Sequence, residues 1–130
     1  MNATAQTPLY PTRPIELTVV RVEGGGNTGG GRYFFSFRPN IVLIREPTYL
    51  HYKLSETCSP GLVLDYVVGS ASAGQLQIPR ECEDSCVTIV NHCIARELLN
   101  LAFVVRDNTP IARSGPEMVI CDPQVLNVPE

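Results

Sequence analysis

The sequence predicts an all-β protein, a two-sheet antiparallel sandwich of seven to nine strands, immunoglobulin-like in broad layout. Three observations predict it. Apolar residues recur at every second position in run after run, which is the period of a half-buried strand. Turn signals separate those runs at intervals of roughly 8–12 residues. Glycine and proline, 10 and 11 residues of 130, exceed their usual combined share of ~12% and fall between the runs. Each predicted sheet has one apolar face, so two sheets must pack face to face.

The elements follow in chain order. Residues 1–14 carry Pro8, Pro11 and Pro14 and read as an extended proline-rich arm, either frayed or pinned on a neighbour. The rest, residues 15–130, forms one domain. Ile15, Leu17 and Val19 alternate with Glu16 and Thr18 as a strand. Six glycines in residues 24–31 cost too much backbone entropy for anything but a loop, so the next run, Tyr33 to Phe37, closes a hairpin with a flexible glycine tip. After Pro39 and Asn40 comes a short apolar run, Ile41 to Ile44. Glu46 and Pro47 break the chain before Thr48 to Leu54, which puts Leu50, Tyr52 and Leu54 on one face and Tyr49, His51 and Lys53 on the other.

A turn at residues 58–61 leads to a strand whose inner face holds Leu62, Leu64, Tyr66 and Val68, with Asp65 outside. Leu76 to Ile78 forms a brief strand stopped by Pro79. An acidic link, residues 81–84, precedes the strand from Cys86 to Val90. Asn91 has the chemistry of a helix cap, so at most one helical turn is expected over residues 91–97. The spacing of Leu99, Leu101, Phe103 and Val105 restores a strand. Turns are expected at residues 107–110 and at Gly115-Pro116. Met118 to Ile120 and Gln124 to Val128 are the last strands, with Asp122-Pro123 between them.

Composition excludes several classes of function. The formal charge is −3, and charged residues are 18% of the chain against 44% hydrophobic. That is too apolar for a disordered chain and lacks the basic surface that grips nucleic acid. No apolar run reaches the ~18 residues of a membrane-spanning helix. Residues 1–6 show no basic segment followed by an apolar one, so no secretory signal is visible and a cytoplasmic location is expected. Five cysteines, Cys58, Cys82, Cys86, Cys93 and Cys121, are an odd number, which fits reduced thiols better than a disulfide framework.

The aromatic strand, then Glu46-Pro47 ahead of Thr48-Tyr49-Leu50-His51-Tyr52-Lys53-Leu54, then the closing Cys121-Asp122-Pro123-Gln124-Val125-Leu126-Asn127-Val128-Pro129, resemble the DP-EP family of small bacterial proteins. The resemblance covers about residues 15–130. It implies a β-sandwich of unknown function and carries over no catalytic residue. On physical grounds Asp122-Pro123 fits an edge or a switch between sheets, since proline removes a ladder donor. Glu46-Pro47 sets the kink between two strands.

Motifs with chemistry are few. Residues 24–29 match a GxGxxG pattern, but a strand follows where a dinucleotide site needs a helix N-terminus. No phosphate-binding loop is present, because no Gly-Lys-Ser/Thr follows. Cys82, Cys86, His92 and Cys93 are the sharpest cluster and admit three readings: a structural zinc, a disulfide, or free thiols acting as small hydrophobes. The third is favoured, because Cys86 opens an alternating strand rather than a tight metal knuckle. Cys93 and His92 are adjacent in sequence and would point to opposite faces of a strand, so no thiol–imidazole nucleophile is built locally. Neither a cofactor nor catalysis is expected.

Exposed aromatic side chains are the remaining signal. If Tyr33, Phe35 and Phe37 face inward, Phe34 is left outside, and Tyr49 and His51 share an outer face. Such a surface either contacts a partner or is covered by a loop such as the arm. The expected function is therefore a non-catalytic interaction or assembly domain with a protein partner, self-association included. The alternative is a small-ligand or carbohydrate-binding module that uses the exposed aromatics.

Overall fold

The computed structural model describes residues 9–109 and 116–130. Residues 1–8 of the arm, and the turn residues Pro110 and Gly115, lie outside that range. Ten strands run in order: β1 (Thr12–Arg21), β2 (Tyr33–Arg38), β3 (Ile41–Ile44), β4 (Thr48–Leu54), β5 (Leu62–Ser70), β6 (Leu76–Gln77), β7 (Cys86–Asn91), β8 (Glu97–Asp107), β9 (Glu117–Cys121) and β10 (Gln124–Asn127). The first sheet has the order β2-β1-β4-β7-β6. The second has the order β3-β10-β8-β5, with β9 also paired to β8. The predicted sandwich is thus present, with ten strands instead of seven to nine.

Not every pair is antiparallel. β1 and β4 run parallel, as do β3 and β10. The cause is the crossing path of the chain: β3 leaves the first sheet for the second, and β4 returns. The return runs through Glu46-Pro47, so that dipeptide does kink the chain between two strands and also switches sheets. Asp122-Pro123 makes no switch. Cys121 faces Phe103 and Val125 faces Leu99, four residues along in each strand, so β9 and β10 follow one edge of β8 in unbroken register. Pro123 is buried at that joint, where β3 begins to pair on the far side of β10.

Alternation fills the interior as predicted. Leu50, Tyr52 and Leu54 of β4 meet Leu99, Leu101, Phe103 and Val105 of β8 in one buried core. Phe37, Tyr52 and Phe103 join the two sheets through ring contacts of 4.3–6.0 Å.

Two local expectations are corrected. The glycine segment is not a free tip: Gly29–Gly31 form a 3-10 turn, and the Asn27 side chain exchanges two hydrogen bonds with the Phe35 backbone at 2.8 and 2.9 Å. Asn27 therefore does for the outer edge of β2 what a further strand would do. Gly26 is required there, because a Cβ would strike the Tyr33 carbonyl.

Second, β5 carries a bulge. Leu64 pairs with Val105 and Tyr66 with Val104, which leaves Asp65 as the extra residue. One inserted residue reverses every later side chain. Val67 turns inward, while Tyr66 and Val68, predicted inside, are exposed.

The expectation of at most one helical turn over residues 91–97 holds, as none forms. The Asn91 carboxamide does accept the Cys93 N–H at 3.0 Å, as a cap would, but Cys93 takes φ +51° and ends the turn. The buried Gln75 side chain then takes the N–H groups of Ile94 and Ala95 and the carbonyl of Ala95.

Buried polar ties hold the sheets together at each end of β8. At one end Asn91 of β7 pairs with Asn127 of β10. At the other, Asp107 accepts two hydrogen bonds from Arg21 at 2.9 Å and one from the Tyr33 hydroxyl at 2.5 Å.

Candidate interaction surface

β8 is apolar on both faces. Its odd-numbered residues from Leu99 to Val105 enter the core, while Leu98, Ala102 and Val104 point out of the sandwich. Strand register extends this outer surface in rows. Leu43, Leu126 and Leu98 lie side by side across β3, β10 and β8. Ala102 lies beside Val68. Tyr66, Val104 and Ile120 form a row across β5, β8 and β9. Val104 is only 5% exposed yet stands outside the core; its own outer-face neighbours cover it.

Among the described residues ten large apolar side chains are exposed, and seven of them lie here: Ile41, Leu43, Tyr66, Val68, Leu98, Met118 and Ile120. Leu98, Val68 and Ile120 each leave more than half of their surface in water. That concentration is the informative point, because isolated exposed apolar residues are ordinary. An open cleft of about 530 Å³ crosses the surface, lined by Val68, Leu98, Asn100, Ala102, Asp122 and Gln124 among others. Charge is sparse: Arg106 and Asp65 neutralise each other at 3.4 Å.

The outer face of the first sheet is chemically different. Arg38, Glu16 and Lys53 alternate in sign across β2, β1 and β4, as on a solvated face. The aromatic candidates lie on this sheet. Phe34 is exposed on β2 as predicted. Tyr49 and His51 sit beside Thr12 and Pro14 of β1, whereas Phe34 sits beside Val20, so Phe34 is roughly 20 Å along the strand direction from His51. The three do not form one patch. Tyr10 of the arm packs on Tyr49 at 5.3 Å, and His51 hydrogen-bonds Thr88 at 2.8 Å.

The cysteine–histidine cluster is not assembled. His92 is held by Tyr10 at 3.1 Å and Gln77 at 3.0 Å. Cys93 is buried with its thiol towards the Ile44 carbonyl, and the Cys86 thiol donates to Glu83 at 3.4 Å. All five cysteines are free thiols. Burial pushes Cys82 up to about 11 and Cys121 up to about 12, and raises Cys86 and Cys93 also. Protonated thiols of this kind are poor nucleophiles and poor metal ligands. Among the described residues no group of three or more His, Cys, Asp or Glu side chains is placed to hold a metal. Glu46 and Pro47 line a small pocket with Cys93 and Pro129, and the Glu46 carbonyl accepts the Thr48 hydroxyl at 2.7 Å. Asp122 borders the apolar cleft.

The outer-face residues of the second sheet were readable only in part. Ile41 to Ile44, Leu98-Leu99 and Val104-Val105 are apolar at consecutive positions, the pattern of strands covered on both faces. Tyr66 and Val68 gave no such signal, because the bulge at Asp65 reverses them. No protein-family model matches the chain, and no curated protein matches it by sequence. Among the described residues no helix is long and apolar enough to cross a membrane.

Proposed function

We propose that this chain is a non-catalytic protein-interaction domain whose working surface is the outer face of the second sheet. One observation carries the reading: seven of the ten exposed large apolar side chains gather on that face, around strands whose sequence is that of doubly covered strands. Burying such a surface against a partner is favourable by roughly 25 cal/mol per Å² of apolar area. The thiols, by contrast, are packed or hydrogen-bonded, and the Glu83 carboxylate beside Cys86 raises that thiol further.

A photoreactive benzoylphenylalanine at position Leu98, compared with one at Lys53 on the other outer face, tests this in intact cells that make the protein. A discrete adduct from Leu98 and none from Lys53 is the expected result. No adduct from Leu98, or the same adducts from both positions, overturns it.

The cleft favours a second reading, a small-ligand site. The rings of Phe34 and Tyr66 belong to different sheets, so a carbohydrate stacked between those two aromatics is disfavoured. A melting shift with a soluble metabolite that disappears on Asn100→Ala would support the ligand reading.

A further inference from the structure

We propose that the partner on this surface is a second copy of the chain, with the two outer faces packed together about a twofold axis. The inference rests on the reading that this face is an interaction surface, and it names the occupant. Three properties of the face favour its own copy.

The first is hydrogen-bonding chemistry. The polar side chains within the apolar rows are Asn100 and Gln124, with Ser70 beside Asn100. An amide or hydroxyl both donates and accepts, so one at a twofold axis pairs with its own equivalent and the others pair reciprocally across it. The second is charge. Asp65 and Arg106 neutralise each other within the chain, which leaves little field to select an oppositely charged partner. Asp122 stands beside Ala102 in the unbroken register of β9 and β10 and lines the cleft, so it adds a negative charge to the face.

The third is shape and area. A twisted sheet is a saddle, and two saddles of the same hand nest at an angle near −30°, as the two sheets of any sandwich do. The outer positions of β8 from Leu98 to Arg106 extend roughly 26 Å at ~3.3 Å per residue, and three strands abreast, β5, β8 and β9 or β10, span about 14 Å. The product, on the order of 400 Å², lies within the ~300–600 Å² range for the largest patch on a monomer. With the flank of β3 beside Leu126 it supplies about half of the ~800 Å² that each partner gives to a stable interface. A four-layer stack would give β8 the second covering layer that its sequence anticipates.

Sedimentation of the purified full chain, from low to high micromolar concentration, tests the proposal. The expected mass rises to twice that of one chain. Leu98→Lys and Ile120→Lys should each weaken the dimer by about tenfold or more, while Phe34→Lys on the other sheet leaves it unchanged. Circular dichroism checks folding; should a lysine variant unfold, Val68→Ser and Leu98→Ser are run in its place. A chain that keeps the monomer mass at every concentration overturns the proposal, as does a dimer indifferent to all four face substitutions. The two readings separate cleanly. A monomer whose Leu98 probe joins a different protein removes the second copy and keeps the interaction surface. A monomer without Leu98 adducts removes both.

Discussion

The side chains of Asn91 and Asn127 hydrogen-bond to each other in both directions, at 2.7 and 2.9 Å, with both residues wholly buried. One belongs to each sheet, so the pair fixes how the layers sit on each other where apolar contacts alone would allow sliding. The Asn91 carbonyl oxygen also takes the Cys93 N–H. Truncating either residue leaves the other amide unpaired in the interior, which costs about 1–3 kcal/mol. Asn91→Ala is expected to cost more than Asn127→Ala, because it also orphans the Cys93 N–H. The double variant should lose less than the sum of the singles. Urea melts of the three variants measure the coupling; strict additivity would mean that the pair does not act as a unit.

Tyr52 presents the opposite case. Its ring lies 4.3 Å from that of Phe103 at the centre of the core, but its buried hydroxyl has no hydrogen-bond partner among the described residues. Tyr52→Phe keeps the ring contacts and removes the unpaired group. The variant is expected to be as stable as the parent or more stable, by up to about 1–2 kcal/mol. A fall in melting temperature would show that the hydroxyl is satisfied in solution.

The bulge at Asp65 yields a prediction about register. Asp65→Ala removes a surface ion pair of 3.4 Å and should cost less than about 1 kcal/mol. Deleting Asp65 is a different change. It lets Tyr66 follow Leu64 directly, so regular alternation keeps Tyr66 and Val68 outside and Val67 inside opposite Phe103, and the deletion variant is expected to fold cooperatively, by circular dichroism and thermal melting, near the parent's temperature. Loss of the cooperative melt would show that the fold needs the kink that the extra residue puts into β5.

The same bulge marks where sequence reasoning stops. Strands such as β1 and β4 were legible because one face is apolar and the other polar, so sidedness follows from alternation. Alternation has no means of announcing an inserted residue, and Asp65 looks like any outward-facing acid. β3 and β8 defeat it differently. Where consecutive residues are apolar, as in Ile41 to Ile44, period two does not say which face is the core. Hence alternation points to Phe34, Tyr49 and His51 as exposed rings, although Tyr49 and His51 are half-buried and the structure gathers its exposed apolar side chains on the other sheet. Asn91 was read correctly as a group able to cap the next turn. What holds the chain open beyond Cys93, the Gln75 side chain, lies 19 residues before Ile94 and is invisible to any local pattern.

The Asp107 tie sets how the fold responds to acid. Arg21 beside it holds the Asp107 carboxyl well below the usual carboxylate range, and the Tyr33 hydroxyl and Thr109 N–H add to this against the opposing effect of burial. Burial, with Asp107 next, pushes the Tyr33 hydroxyl up to about 12, so Tyr33 remains a donor throughout the acidic and neutral range. A carboxyl whose folded pKa is depressed stabilises the fold fully above its unfolded value, ~4, and that contribution drains away as pH falls towards the lower folded value. Asp107→Asn is therefore expected to cost about 2 kcal/mol at pH 7. This is less than the ~3–5 kcal/mol for breaking a fully buried pair, because water reaches the Arg21 side chain, 25% exposed. The gap between parent and variant should narrow steadily below pH 4 in urea melts at matched ionic strength. A gap that stays constant down to pH 2 would show that Asp107 stabilises by shape and neutral hydrogen bonding, with no contribution from its charge.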